Sequence, residues 1–288
     1  MEITFEVKNS TGIITLNRPK ALNALNLNMA IQFSDKLKEW ESDNKIERVL
    51  LLGEGKHFCA GGDVKSVHLS GPFSKLKEEF FSTEYSLNLQ IKNFPKPYLS
   101  IWQGVVMGGG VGLSIYGDYR IATDSTKFAM PETSIGFFPD VGGSFFLARL
   151  ENNLGKYLGL TGEIVQGKDL LNFNLATHYC PENKINNLIS QFITDGSITN
   201  YEIENSSFFT DEKIDFIDKN FSGDIHEIFS NIQNISNQDS LLQKLQKKCP
   251  MSLAVTTLLI KDSNNRSLKN CLEIEYRLSQ KMTNRHDF

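Results

Sequence analysis

Two glycine-rich segments could bring backbone N–H groups close to a reacting atom. The segment 57–63 reads His-Phe-Cys-Ala-Gly-Gly-Asp and follows an apolar run typical of a strand. The segment 108–112 reads Gly-Gly-Gly-Val-Gly and is predicted to open a helix after another strand. Small residues let the backbone turn sharply and approach a ligand, and N–H groups at a helix start have no intrahelical partner. One N–H from each segment would form an oxyanion hole for a carbonyl, although a tight turn also explains either segment alone.

Neither segment is typical of a nucleotide-binding loop. No Gly-Lys-Ser/Thr follows the glycines, so the P-loop pattern is missing, and the spacing does not match the G-x-G-x-x-G dinucleotide fingerprint. A carbonyl-directed role therefore fits these glycines better than a phosphate-binding role.

A glutamate interrupts the apolar stripe of the helix predicted over 73–94. Glu84 lies four residues after Phe80 and three before Leu87, so the helical periodicity puts it on the apolar face. A glutamate in such a place costs free energy unless it is paired or faces a ligand. Two interpretations stay open, namely a residue at the end of the core that reaches solvent or an arginine, and a residue of a binding site. The rest of this apolar stripe consists of Phe73, Leu76 and Ile91.

Two further carboxylates occur among apolar and turn residues in the segment 130–143. Glu132 follows Met-Pro, and Asp140 stands between Phe-Phe-Pro and Val-Gly-Gly. Desolvation in such surroundings raises the pKa of a carboxyl group into the range useful for acid–base catalysis.

Strand and helix patterns alternate through the first part of the chain, which predicts an α/β fold. Beyond residue 167 the pattern becomes mostly helical, and its last two helices are expected at 250–261 and 267–282. We therefore expect an α/β core over 1–166 and a mostly helical C-terminal region over 167–288. Strands are expected at 3–7, 12–16, 48–52 and 97–103, with further extended chain over 120–130.

Composition excludes several classes of function. The 288 residues carry a net charge of −4 with scattered lysine and arginine, which argues against a nucleic-acid partner. No apolar run approaches the roughly 18 residues that a membrane span needs. The four cysteines and five histidines show no metal-ligand spacing, so no metal site is expected, and the cysteines are predicted to be reduced thiols.

Four segments together resemble the crotonase (enoyl-CoA hydratase/isomerase) superfamily. They are Leu-Asn-Arg-Pro-Lys-Ala-Leu-Asn-Ala-Leu at 16–25, the glycine-rich stretches 58–63 and 107–112, and Phe-Ala-Met-Pro-Glu at 128–132. The resemblance covers nearly the whole chain and is weakest from 183 to 250. It implies a crotonase-like ββα superhelix core, of the ClpP/crotonase type, followed by a helical C-terminal region. Segments 84–88, 128–143, 275–280 and 285–288 are most similar to the 3-hydroxyisobutyryl-CoA hydrolases of that superfamily.

The resemblance also implies roles for individual residues. Gly62 and Gly109 correspond to the family's oxyanion-hole N–H donors, and Glu132 to its main catalytic carboxylate. Asp140 corresponds to the second acidic residue of the hydrolases, and Glu84 to a position in their substrate pocket. The implied substrate is an acyl-CoA, and no cofactor is implied because coenzyme A is part of that substrate.

The residue at position 112 distinguishes between the activities found in the family. Hydratases carry a second catalytic glutamate there, whereas this chain has Gly112. The resemblance therefore favours hydrolysis of a short branched 3-hydroxyacyl-CoA thioester, 3-hydroxyisobutyryl-CoA, as in valine catabolism. An enoyl-CoA isomerase, which needs one base at position 132, is the enzymatic alternative, and a non-catalytic CoA-binding paralogue is the other.

The two ends of the sequence lead to expectations about the coenzyme pocket, the cellular compartment and the oligomeric state. The family normally continues beyond the position of Phe288, so part of the wall near the coenzyme pocket is expected to be missing. No presequence is visible at Met1, so we expect a soluble intracellular protein, mitochondrial by resemblance or else cytoplasmic. Relatives often assemble through their C-terminal helices, which implies a homo-oligomer.

Overall fold

A six-stranded sheet organises the fold in the computed structural model, which describes residues 1–71, 74–203, 207–235 and 239–288. β1 and β2 pair antiparallel through a tight turn at Asn9 and Ser10, both with positive φ, and the remaining neighbours pair parallel. In spatial order the strands are β1 (Ile3–Lys8), β2 (Thr11–Leu16), β3 (Arg48–Gly53), β4 (Tyr98–Trp102), β6 (Tyr119–Ala122) and β8 (His178–Tyr179).

A separate two-stranded sheet stands next to the glycine-rich segments. It consists of β5 (Val105–Met107) and β7 (Lys127–Ala129), which pair parallel. The extended chain expected over 120–130 is therefore present but divided between the two sheets. A turn separates β6 from β7, in which the Thr126 hydroxyl accepts a hydrogen bond from the Thr123 N–H at 2.7 Å. This turn redirects the chain after β6 so that β7 can pair with β5.

Helices cover the sheet and make up most of the later chain. The helix expected over 73–94 is observed as Leu76–Asn93, and its expected first residue, Phe73, lies outside the described residues. The expected division at residues 166 and 167 stays a prediction. Among the described residues no helix is both long and apolar enough to cross a membrane. The helices are α1 (Leu27–Ser42), α2 (Val64–Leu69), α3 (Leu76–Asn93), α4 (Gly109–Gly112), α5 (Gly143–Leu147), α6 (Leu154–Thr161), α7 (Asp169–Asn172), α8 (Ile185–Asp195), α9 (Asp211–Asn220), α10 (Ile225–Gln233), α11 (Asp239–Gln246), α12 (Pro250–Asp262) and α13 (Leu268–Met282), with 3₁₀ turns at Pro19–Ala21, Glu132–Ile135 and Glu182–Lys184.

Both faces of the inner strand β3 are buried. On β3, Leu50 joins one apolar cluster with α8, whereas Val49 and Leu51 join the main core beneath α1 and α3. Successive side chains of a strand point to opposite faces, so a strand covered on both sides reads as a continuous apolar run. The helix α3 also packs against α13, and this contact links the C-terminal region to the core.

A buried asparagine fixes the approach to the first glycine-rich segment. The Asn23 amide donates hydrogen bonds to the carbonyl oxygens of Glu54 at 2.9 Å and His57 at 2.7 Å. Its side-chain oxygen accepts from the Arg18 N–H at 2.9 Å. Asn23 itself has a φ of +57°, a conformation that asparagine tolerates better than most residues. One side chain therefore ties together three pieces of backbone next to the 57–63 segment.

We predict that Asn23→Asp lowers the free energy of unfolding by ~2–4 kcal/mol, because a carboxylate oxygen would face two carbonyl oxygens and leave both unpaired. Chemical denaturation measures this change. The matched control is Asn44→Asp, the same substitution at an exposed position. Equal effects of the two substitutions would contradict the assigned role of Asn23.

Candidate active site

A single cavity of about 160 Å³ brings together all five residues singled out from the sequence. Gly62 and Gly109 line it together with Glu84, Glu132 and Asp140. The rest of its wall is largely apolar and includes Phe80, Phe81 and Phe137. The cavity therefore places two glycine backbones and three carboxyl groups in one space with a largely apolar wall.

Backbone pairing holds the two glycine-rich segments side by side. The Cys59 N–H donates to the Val105 carbonyl and the Met107 N–H donates to the Cys59 carbonyl, both at 3.0 Å, so 57–63 adds to the edge of β5. On its other side Leu25 pairs with the same segment, since the Leu25 N–H donates to the Gly61 carbonyl at 2.9 Å. The glycine-rich segment is therefore fixed on both sides.

The two glycine backbones converge without being paired. A β-carbon at position 109 would lie 2.9 Å from the Gly62 nitrogen and 2.5 Å from Glu84 Oε1. The residues just before them, Gly61 and Gly108, have φ values of +128° and +47°, which side chains disfavour. Neither the Gly62 nor the Gly109 N–H donates a hydrogen bond to another residue that the structure describes. Two free donors thus adjoin at the cavity wall, as an oxyanion hole requires.

The carboxylates of Glu84 and Glu132 are buried with unused hydrogen-bonding capacity. Glu84 is 2% exposed and Glu132 is 7% exposed. Glu84 Oε1 and Glu132 Oε2 have no hydrogen-bond partner among the described residues. Buried polar atoms are rarely left unpaired, so these oxygens require an explanation. Of the two interpretations open for Glu84, the observed position favours the binding-site one, because its carboxylate lines the cavity.

Burial makes all three carboxyl groups weaker acids than exposed carboxyl groups are. It raises the pKa of Glu84 and of Glu132 well above the usual range, and repulsion from the Asp140 charge adds to this in both cases. Burial likewise raises the pKa of Asp140 to about 7, although hydrogen bonds from Tyr85 and from the backbone oppose the shift. The cluster therefore retains protons at neutral pH, when isolated carboxyl groups are fully ionised.

A tyrosine that the sequence reasoning left without a role orients Asp140. The Tyr85 hydroxyl donates a hydrogen bond to Asp140 Oδ2 at 2.7 Å, and both groups are buried. Tyr85 follows Glu84 in α3, so this helix contributes one side chain to the cavity and the next to its support. The only signal for this contact in the sequence is its place in the segment 84–88, and spacing alone does not reveal a partner 55 residues away.

Comparisons with known proteins identify the family. A sequence model described as enoyl-CoA hydratase/isomerase matches residues 11–288. The chain belongs to this family. Proteins named mitochondrial 3-hydroxyisobutyryl-CoA hydrolase are 40% identical in Danio rerio, over 100% of this chain and 80% of the relative, and 42% identical in Xenopus laevis, over 96% and 77%.

Solved structures of the enoyl-CoA hydratase/isomerase family confirm the predicted crotonase fold. A carnitinyl-CoA dehydratase from Mycobacterium thermoresistibile is 34% identical with a TM-score of 0.93, covering 99% of this chain and 87% of that one. An enoyl-CoA hydratase from Rhodobacter sphaeroides 2.4.1 is 31% identical with the same TM-score of 0.93, covering 99% and 86%. The mixed α/β core and the helical C-terminal region are thus features shared with these proteins.

Within this enoyl-CoA hydratase/isomerase fold, position 112 has no room for the second carboxylate expected of a hydratase. A β-carbon at Gly112 would lie 2.6 Å from the Val141 β-carbon and 2.8 Å from Asn88 Nδ2. Contacts below 3 Å force neighbouring atoms to move, and packed interiors resist such movement. The chain therefore offers the carboxylates of residues 84, 132 and 140, and none at 112.

We predict that Asp140→Asn stabilises the chain more at pH 8 than at pH 4. The change that the substitution makes in the free energy of unfolding should be ~1–3 kcal/mol more favourable at pH 8. The pKa of Asp140 is about 7 in the folded chain, above the value of about 3.9 expected when unfolded, so the folded chain holds a proton that the unfolded chain releases. Stability from this group is therefore lost as pH rises through about 7, and asparagine avoids that loss.

Denaturant titration at the two pH values measures the difference. The exposed Glu151→Gln serves as control and should show much less pH dependence. An Asp140→Asn effect that is the same at both pH values would contradict the raised pKa.

Proposed function

We propose that the chain hydrolyses a short branched 3-hydroxyacyl-CoA thioester, specifically 3-hydroxyisobutyryl-CoA, to 3-hydroxyisobutyrate and CoA, a step of valine catabolism. The observation that carries the proposal is the meeting of two free glycine N–H donors with three buried carboxylates in one cavity. Hydrolase-named relatives that align over the entire chain support it.

The thioester carbonyl would bind between the two glycine-rich segments. The Gly62 and Gly109 N–H groups would donate to its oxygen, and these bonds strengthen as negative charge develops there. Fixed backbone donors in a largely apolar cavity need no reorganisation during the reaction, which is why such an arrangement lowers the barrier.

Glu132 would supply the attack on the carbonyl carbon. Two routes give the same net reaction. In both, the hydroxyl of a water molecule joins the acyl group and the remaining proton ends on the CoA thiol. In one route Glu132 takes a proton from the attacking water. In the other, its carboxylate attacks first, expels the thiolate and forms an anhydride that water then cleaves. Either route requires the ionised form of Glu132. Because burial and the Asp140 charge raise its pKa, the reactive fraction of Glu132 increases as the pH rises. Its Oε2 has no hydrogen-bond partner among the described residues.

Asp140 and Glu84 would handle the leaving group and the substrate's hydroxyl. With a pKa of about 7, Asp140 exists in both protonation states near neutral pH, so it can pass a proton to the departing thiolate. The raised pKa of Glu84 keeps its carboxyl protonated, so it can exchange hydrogen bonds with a 3-hydroxyl group of the substrate.

The proposal includes no cofactor beyond the CoA portion of the substrate. The relatives are named mitochondrial, and for this chain we propose an intracellular compartment, mitochondrial or cytoplasmic, that contains acyl-CoA. Assembly into a homo-oligomer and the absence of nucleic-acid and membrane partners stay predictions.

We predict that the purified chain releases free thiol from 3-hydroxyisobutyryl-CoA, and that Glu132→Gln lowers kcat ~10²–10⁴-fold because glutamine can neither accept the proton nor attack. A thiol-reactive dye measures the release. The surface variant Glu151→Gln should retain the original rate.

Two other results would contradict the proposed function. If the folded chain releases no thiol but moves the double bond of an enoyl-CoA, it is an isomerase. If it does neither and CoA still raises its melting temperature, it is a non-catalytic CoA-binding protein.

A further inference from the structure

A buried glutamate of α13 lies against the turn that carries Asp140. Glu275 is 0% exposed. Its Oε2 accepts a hydrogen bond from the Gly142 N–H at 2.7 Å. Its Oε1 accepts from the Ser144 N–H at 3.0 Å and from the Ser144 hydroxyl at 2.5 Å. The two carboxylate oxygens thus bind both ends of a three-residue stretch that begins two residues after Asp140.

The turn that Glu275 binds has a strained backbone. Val141 has a φ of +52°, and Gly142 follows with a φ of +79°. A positive φ is a marked outlier for a β-branched residue, and such conformations cost about 1–3 kcal/mol and persist only where their surroundings enforce them. Besides Glu275, the Tyr116 hydroxyl donates to the Val141 carbonyl at 2.8 Å. The strained residue therefore lies between Asp140 and the atoms that Glu275 binds.

Glu275 supplies the cap that the short helix α5 cannot obtain locally. Gly142 occupies the N-cap position of α5 and has no side chain to accept the free N–H groups. No side chain at that position can cap the helix, because a β-carbon at Gly142 would overlap the Tyr116 hydroxyl and because its φ of +79° disfavours side chains. The cap comes instead from a fully buried glutamate 133 residues away, whose pKa burial raises to about 8. Glu275 therefore both caps α5 and holds the turn that carries Asp140.

Asp140 is held from two helices. α3 supplies the Tyr85 hydroxyl to its carboxylate, and α13 supplies Glu275 to the backbone that follows it. The two helices pack against each other. Any shift of the 140–144 turn would therefore change the distance between Asp140 and Tyr85, and the direction in which Asp140 faces the cavity.

We propose that Glu275 is a positioning residue for thioester hydrolysis, because its carboxylate holds the strained 140–144 turn and thereby keeps Asp140 aimed into the cavity. This inference rests on the proposed function. It assigns Glu275 no contact with the substrate, since Glu275 is absent from the cavity wall.

The first test is the effect of Glu275→Gln on the two kinetic constants. The amide can accept at only one of its two ends, so one backbone N–H of the turn loses its partner and the turn shifts. We expect kcat to fall ~10–100-fold, since a displacement of about 1 Å can cost that much, whereas KM changes less than about twofold. The control is Glu273→Gln, an exposed residue on the same helix, which should leave both constants unchanged.

A double-mutant cycle tests whether Glu275 acts through Asp140. Residues that act as one unit give non-additive effects, whereas independent effects add. In an Asp140→Asn background, Glu275→Gln should therefore cause little further loss of kcat. A second loss as large as the first would overturn the proposal and leave Glu275 with a general structural role.

Two further measurements cover a folding failure or an absent activity. Ser144→Ala removes one of the three hydrogen bonds and keeps the others, so it should lower kcat in the same direction by a smaller factor. If Glu275→Gln does not fold, unchanged kinetics of Ser144→Ala overturn the proposal.

Crystal structures of the variants give an answer without turnover, because the 2.7 Å hydrogen bond between Tyr85 and Asp140 should be lost in Glu275→Gln. If that bond persists, the positioning role is wrong. If the unmodified chain releases no thiol, the proposed function fails separately.

Discussion

Two backbone N–H groups have to stay unpaired and adjacent, and this requirement governs much of the architecture. Folding normally pairs such groups, so each must be held in place by the bonds of its neighbours. The pairing of Cys59 with β5, the pairing of Leu25 with Gly61, and the side-chain bonds of Asn23 provide this support. The small sheet of β5 and β7 stands apart from the large one, and β5 pairs with Cys59 and leads directly into the second glycine-rich segment.

The same cavity brings carboxyl groups together where the surroundings are least able to solvate their charged form. Three carboxyl groups share a space walled by phenylalanine, and their raised pKa values report the cost of ionising them there. That cost lowers stability above neutral pH, yet it also gives groups that hold or release protons near neutrality. Perturbed carboxyl groups in a cleft are a common mark of catalytic sites. Here the destabilisation and the reactivity have one physical origin.

Local patterns predicted the parts of the fold and site that depend on local rules. The strands and long helices follow from apolar periodicity, and the unusual place of Glu84 on the apolar face of α3 was visible from its spacing alone. Gly112 was recognised through the family resemblance, and packing against Val141 supplies its physical reason. The support of Asp140 by Tyr85 and the strain at Val141 were not predicted, because they arise from contacts between distant segments. The division of 120–130 between two sheets was missed since a polar turn of four residues looks like extended chain.

The bond between Ser144 and Glu275 also bears on the order of events when the chain folds. It joins residues 131 positions apart, so a long loop has to close before it can form. The β1–β2 hairpin, by contrast, needs only contacts between near neighbours in sequence. Non-local contacts of this kind slow folding. The β1–β2 hairpin can therefore form while the 140–144 turn is still free, and competence for catalysis should return only after α13 has docked on α3.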